Sequence, residues 1–269
     1  TGSRHAYFGH DEWESVAPGL KKIDDATNIR RRILTAFEHA ESAETQEARR
    51  RFLTFVVIGA GPTGVEMAGA IAELAHVALR HDFRAIDPRD ARIVLVEAGP
   101  NVLASFPSAL RASARAALER LHVEVRLGQP VSRCDETGVT IGGEQLPTAT
   151  IVWAAGVAAS AASHWLGVEK DRIGRVPVGP DLTVPGRPEI FVIGDTASAA
   201  GKDGKPLPGL APVAKQQGAY VARELRARLA GKPAPPTFRY RAYGPIAPIG
   251  RRSAQHPGRQ GDPQHPQRE

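Results

Sequence analysis

Short apolar runs broken by glycine set the plan of this chain. Phe55-Val-Val-Ile58 and Ile93-Val-Leu-Val96 are continuous and rich in β-branched residues, the pattern of strands buried on both faces of a parallel sheet. Between them Val65, Ala68, Ile71, Ala72, Ala75, Ala78 and Leu79 recur at helical spacing. A second helical stripe, Leu110, Ala114, Ala117, Leu118 and Leu121, comes after Phe106-Pro107, and His122 to Leu127 alternates as a strand does. Gly138 to Gly143 predicts a hairpin around a strand Val139 to Ile141, and Thr150 to Trp153 predicts a buried strand closed by a glycine turn at Gly156. Upstream, Ile29, Ile33, Leu34 and Phe37 share one face of a helix expected from about Thr27 to Ser42, which the charged stretch Glu41 to Arg51 ends. The alternation of strand and helix makes residues 49–156 one complete nucleotide-binding domain of the α/β class.

The remainder is patterned differently. Glu189 to Ile193 reads as a strand that ends in Gly194-Asp195, and a helix opens at Pro212 and runs through Tyr220 and Val221 to Leu225 and Leu229. Pro233, Pro235 and Pro236 form a stiff linker to an expected edge strand, Phe238 to Tyr243. Beyond Ile249 no large apolar residue remains, so residues 244–269 are expected to form an atypical tail unable to order itself.

The chemistry concentrates at Gly59-Ala-Gly61-Pro-Thr-Gly64-Val-Glu66. A strand, a tight glycine turn and a helix start place a pyrophosphate at a helix N-terminus, where backbone N–H groups and the helix dipole favour anions. Gly59 permits the turn, Gly61 lets the backbone approach phosphate, and Gly64 lets helix pack on strand. Pro62 fits the first helical turn, where its missing N–H removes nothing. Glu97, at the end of the second strand, is placed to accept hydrogen bonds from the adenosine ribose, favouring NADH over NADPH. It lies 33 residues after Gly64, more than the usual ~20. A long helix and the loop from His81 to Asp90 account for the excess, and Arg84, Arg89 and Arg92 nearby leave room for NADPH. At the second glycine-terminated strand, Gly194 lets backbone approach a ligand and Asp195 is an acceptor for polyol hydroxyls such as a flavin's ribityl chain, or else a turn residue capping the next segment. The helix opening at Pro212 presents a positive end to a reduced flavin ring, with Gln216 as a donor to its carbonyls.

Composition narrows the classes. The 269 residues, 42% hydrophobic, suffice for a substantial core in one or two domains. The net charge is +6 and the pI 9.8. Its arginines, as in Arg30-Arg31-Arg32 and Arg49-Arg50-Arg51, lie on amphipathic helices without aromatic interleaving, so nucleic acid is not an expected partner. Attraction to an anionic membrane surface is the alternative use of that charge. No run approaches the ~18 apolar residues of a membrane span, and no secretory signal opens the sequence. Cys134 is the sole cysteine, which excludes internal disulfides, cysteine-rich zinc sites and a redox dithiol within the nucleotide domain. His256 and His265 lack ligand-like spacing, and no metal site is expected.

These motifs together resemble the type II NADH dehydrogenases, the single-subunit, FAD-dependent NADH:quinone oxidoreductases. The resemblance runs from Thr1 to about Arg252. It rests on Gly59 to Glu66, Phe191-Val-Ile-Gly-Asp195, Ala211-Pro-Val-Ala-Lys-Gln-Gln-Gly218 and Tyr7-Phe8-Gly9-His10-Asp11-Glu12-Trp13. It implies a Rossmann-like fold with two dinucleotide-binding domains, the NADH domain inserted into the FAD domain. On that plan residues 1–48 and 157–243 are segments of a partial FAD domain around the NADH domain. It also implies that Gly59, Gly61, Gly64, Glu97 and Gly156 border NADH, with Glu66 near the nicotinamide. Asp195 would hold the ribityl chain beside Gly194, and Ala214, Gln216 and Gln217 would lie by the flavin ring and the quinone pocket. Family members work at the inner face of the plasma membrane, and a homodimer is compatible with the resemblance. Three departures stand out. The family's first glycine motif and its C-terminal membrane-contacting helices are missing, and Pro212 stands where many members have Gln. The expectation is therefore a truncated member, soluble or held at lipid by charge alone. Two other readings stay open: an NADH-binding module without turnover, and a soluble flavin-dependent reductase such as one serving ferredoxin.

Overall fold

The computed structural model describes residues 2–241, 247–249 and 253–255. They divide into two compact units, residues 2–6 with 157–241 and residues 7–156 with the two short later segments.

The larger unit is built on a four-stranded, all-parallel sheet in the order Val123–Leu127, Arg92–Glu97, Thr54–Ile58, Thr150–Trp153. Thr54–Ile58 is buried at all five positions, as a central parallel strand covered on both faces should be. Its alternate residues sort onto two faces. Phe55 and Val57, with Ile93 and Leu95 of the next strand, pack against the helices, including Val65, Ala68 and Ile71 of Pro62–Glu73 and Ala114 and Leu118 of Ser108–Arg120. Val56, Ile58, Val94 and Val96 face the other way, onto Trp153 and a three-stranded antiparallel sheet, Val131–Asp135, Gly138–Ile141 and Glu144–Pro147. Each such side chain, fully buried, contributes about 1.5–3 kcal/mol. The two faces thus hold the central strand from both sides, and its carboxyl end is fixed where the glycine turn begins.

Several expected boundaries move. The first helix is Ile23–Glu41, starting ahead of Thr27, because the Asp25 carboxylate accepts the backbone N–H groups of Lys21 and Lys22 and opens the helix earlier. The charged crossover holds a helix of its own, Gln46–Phe52, capped by the Thr45 hydroxyl on the Ala48 N–H at 3.1 Å. The contact boundary falls between Ala6 and Tyr7 rather than at 48/49. Helix Ile23–Glu41 buries Ile29, Ile33, Ala36, Phe37 and Ala40 in the core of the nucleotide unit, with the Phe37 ring 5.2 Å from that of Phe55. The glycine-turn helix passes into a π-helical turn, Leu74–Ala78, before the loop that leads to Arg92. That loop is tied back by Glu41, whose carboxylate accepts the N–H groups of Arg84, Ala85 and Ile86. Cys134 is buried on its strand, its thiol pushed up to about 12 by burial.

In the smaller unit Ser3–His5 pairs antiparallel with Val157–Ala159, Val176–Pro177 pairs parallel with Ala197–Ser198, and Thr183–Val184 pairs antiparallel with Arg187–Phe191. Helix Ala211–Leu229 buries Val213, Gln217, Tyr220 and Glu224, one face at helical spacing. Arg228 ties it down through Glu224 at 2.8 Å and the Pro188 carbonyl at 2.8 Å. Phe238 to Arg241 is irregular rather than an edge strand. The Phe238 ring packs on Tyr220, the Phe238 backbone N–H donates to the Pro180 carbonyl at 2.8 Å, and the Arg241 backbone is taken up by Gln216. Within the expected tail, Ala247–Ile249 and Ser253–Gln255 form an antiparallel hairpin, and Ile249 is buried in the core of the nucleotide unit. The last large apolar side chain of the sequence supplies that anchor. Residues 256–269 lie outside the described residues.

Candidate functional site

The glycine turn is held by its neighbours on every side. Gly59 has φ +102, a conformation only glycine adopts freely, and its N–H donates to the Val96 carbonyl at 2.7 Å. A Cβ on Gly59 would lie 2.4 Å from the Ala155 Cα, and one on Gly64 only 1.7 Å from the Gly59 carbonyl oxygen. These two glycines let strand ends and helix close on one another. Gly61 differs: it caps the helix with φ −70, and a Cβ there would meet nothing within 4 Å. The absent side chain leaves open space in front of the helix N-terminus, with Pro62 in the first turn. An anionic diphosphate fits such a cradle of backbone donors.

Glu97 lies across the turn. Its Oε2 accepts the Ala60 N–H at 2.8 Å and its Oε1 accepts the Gly99 N–H at 2.9 Å. The carboxylate therefore joins the ends of the first two strands, and each oxygen retains a lone pair for a ribose hydroxyl. Glu66 is half-buried on the same helix, two residues beyond Gly64, and burial raises its carboxyl above the usual range.

Gly59 and Glu97 border a cleft of about 420 Å³ at the carboxyl ends of the strands, lined also by Ile58, Gln129 and Trp153, whereas Gly61, Gly64 and Glu66 are not among its lining residues. Its other wall is aromatic. Tyr7 lies 5.0 Å from Trp153, Trp13 lies 5.7 Å from Trp153, and the His10 ring stacks on Trp13 at 4.1 Å. The buried Tyr7 hydroxyl donates to the Ala17 carbonyl at 2.9 Å, and burial pushes it up to about 12. Phe8 completes the wall beside Gly156. Sequence reasoning set Tyr7 to Trp13 in the flavin segment and did not foresee this wall. The available signal was three aromatics within seven residues of a chain only 6% aromatic.

A second constellation lies in the smaller unit. Gly194, at φ +68, donates its N–H at 2.7 Å to the side-chain carbonyl of Gln217, which is 1% exposed. A Cβ on Gly194 would sit 3.5 Å from that of Ala214. Asp195 comes next, half-buried, with Oδ2 accepting the Ser3 hydroxyl at 3.0 Å and Oδ1 facing the backbone at Gly209. Gly194, Asp195, Ala214 and Gln217 thus come together at the start of a 19-residue helix. Gln216 does not join them: its amide donates to the Arg241 carbonyl at 2.9 Å and accepts the Arg241 N–H at 3.0 Å. A carboxylate acceptor beside the positive end of a long helix is a donor and acceptor set suited to a polyol chain and an anionic ring. Among the described residues no cluster of three or more metal-ligating side chains occurs.

Residues 1–218 match the family model described as pyridine nucleotide-disulphide oxidoreductase. The chain is 45% identical over 264 residues to the type II NADH:quinone oxidoreductase Ndh of Mycobacterium tuberculosis, covering 94% of this chain and 56% of that protein. It is 44% identical to NdhA of the same organism, again over 94% and 56%. The chain therefore spans little more than half the length of these curated relatives. Its fold superimposes on NDH2 from Plasmodium falciparum, solved in complex with NADH, with a TM-score of 0.84 at 19% identity, covering 96% of this chain and 68% of that one.

Proposed function

The chain belongs to the pyridine nucleotide-disulphide oxidoreductase family, and from that premise we propose that it is the NADH-handling part of a type II NADH:quinone oxidoreductase. In this reading NADH is the hydride donor, FAD the cofactor and a quinone the final acceptor. The observation that carries the nucleotide half is the turn at Gly59 to Gly64, with open space kept before Gly61 and Glu97 across from it. The quinone half rests on the names of the M. tuberculosis relatives.

FAD, when bound, supplies the two-electron chemistry between nucleotide and quinone. The chain's own residues bind and orient. The helix N-terminus at Gly61 holds the diphosphate by backbone N–H groups, and Glu97 accepts ribose hydroxyls and repels a 2′-phosphate. Glu66 is a carboxyl that holds its proton to higher pH than an exposed one, because burial disfavours its charge. In the smaller unit Asp195 accepts polyol hydroxyls, while the N-terminus of Ala211–Leu229 favours negative charge on the reduced ring. Gln217 acts through the Gly194 backbone, fixing the turn that carries Asp195. Work at the cytoplasmic face of a membrane, in single or paired copies, goes with this reading. Among the described residues no helix is long and apolar enough to cross a membrane.

Absorption spectroscopy of the chain supplied with FAD tests the proposal. A bound flavin that NADH bleaches and a soluble quinone recolours supports it. A chain that binds NADH and takes up no flavin is a nucleotide-binding module, and the redox half of the proposal then falls.

A further inference from the structure

The order of the parallel sheet gives the cleft two halves. Thr54–Ile58, which feeds the glycine turn, has Arg92–Glu97 on one side and Thr150–Trp153 on the other. A dinucleotide lies across the carboxyl ends of such strands with its diphosphate at the helix N-terminus. With the adenosine ribose at Glu97, its other half is directed toward the end of Thr150–Trp153, at Ala154 to Gly156. No side chain larger than a methyl group stands on those three residues. The aromatic ring found there comes from elsewhere in the same unit: it is Phe8.

Phe8 is unusual in three respects. It is 70% exposed, although the neighbouring Tyr7, Trp13 and Trp153 are buried. Its backbone is left-handed, φ +54, and Gly9 after it has φ +98. Bulky residues rarely adopt this conformation, and where they do the strain tends to serve a site. Finally, its ring tip rests directly on main chain: a Cβ at Gly156 would lie 2.6 Å from Cζ. Trp153 backs it at 6.3 Å between ring centres. The ring is therefore fixed at its base and along one edge, and open to solvent elsewhere. A ring that served only to fill space would be covered, as Tyr7 and Trp13 are.

We propose that Phe8 is the platform on which the planar nicotinamide ring of the dinucleotide packs, with Gly156 kept free of a side chain so that the platform can sit against the strand end. Phe8 is then a positioning residue of the nucleotide site, and the inference rests on the NADH reading above. The flat dihydronicotinamide ring of NADH packs on an aromatic face by dispersion and apolar contact, so pre-organising that face orients the ring.

Calorimetric titration of the full chain with NADH and with ADP-ribose, which lacks only the nicotinamide, tests it. Phe8→Ala is expected to weaken NADH roughly three- to tenfold, the worth of covering one face of a flat ring, and to leave ADP-ribose unchanged. Phe8→Trp retains NADH affinity. Gly156→Ala, whose methyl would displace the ring, reproduces the selective loss with Phe8 still in the sequence. Unchanged NADH affinity in Phe8→Ala and Gly156→Ala overturns the platform while ADP-ribose binding keeps the nucleotide reading intact. Tighter NADH binding in Phe8→Ala overturns it as well, because the ring would then be an obstruction. Failure of the unmodified chain to bind either nucleotide overturns both.

Discussion

Gly61 and Gly64 stand three residues apart in one motif, and the structure predicts opposite outcomes when each becomes alanine. At Gly64 the new methyl would lie 1.7 Å from the Gly59 carbonyl oxygen and 3.4 Å from the Ala154 Cβ. Ordinary contact requires a retreat of about 1.5 Å. Gly59 cannot supply it, because its own Cα already packs on the Ala155 backbone. The helix Pro62–Glu73 must move instead, carrying away Val65, Ala68, Ile71 and Ala72, all buried against the sheet. Overpacking of this kind costs typically about 1–3 kcal/mol, and a contact made wholly with backbone belongs at the upper end. At Gly61 the φ of −70 suits alanine and the methyl meets nothing within 4 Å. There the gain of about 0.4–1 kcal/mol through the unfolded chain is offset by alanine's weaker N-capping, so stability stays close to that of the unmodified chain. Its methyl instead occupies the space through which a diphosphate would reach the helix N–H groups. Urea unfolding and NADH titration on the two variants form the assay. Gly64→Ala should lower the unfolding midpoint and weaken NADH together, whereas Gly61→Ala should weaken NADH alone. A Gly64→Ala chain with an unchanged midpoint, or a Gly61→Ala chain with unchanged NADH affinity, would refute the reasoning.

Glu97 facing a 2′-phosphate amounts to about 4 kcal/mol of repulsion at roughly 4 Å and an effective dielectric near 20, before screening. NADH should therefore bind more tightly than NADPH, Glu97→Ser should narrow the gap, and equal dissociation constants for the unmodified chain would contradict this. Glu66 has its folded pKa raised by burial, so the stability linked to its protonation is present below 4.5, its ordinary value, and is lost as pH rises through the folded value. Glu66→Gln is accordingly expected to melt at higher temperature than the unmodified chain near neutrality and to lose that advantage below pH 4.5; a pH-independent difference would show that its charge is not the cause. Gln217→Ala takes the partner from the part-buried Gly194 N–H and empties a fully buried side-chain site, and should destabilise the smaller unit by about 1–3 kcal/mol, read as a lowered unfolding midpoint.

Local pattern alone determined the strands Thr54–Ile58 and Arg92–Glu97, the helix at Pro62 and the tight turn of Gly59 and close packing of Gly64. Each of those features is a matter of neighbouring residues: a continuous apolar run, a helical period, a backbone turn that only glycine makes easily. The family resemblance was equally legible, because its motifs are local too. Tertiary contact decided the rest. Helix Ile23–Glu41 belongs to the nucleotide unit because Phe37 finds Phe55, a pairing that no spacing along the chain announces. Gln216 and Gln217 are adjacent in sequence, yet a helix turns successive side chains about 100° apart, so one is bonded to Arg241 and the other is buried under Gly194. The aromatic wall assembles residues near position 10 with Trp153, more than a hundred residues away, and the sequence has no local rule that joins them. Burial at a distance, rather than propensity, chose which polar groups are left at the cleft and which hold the scaffold.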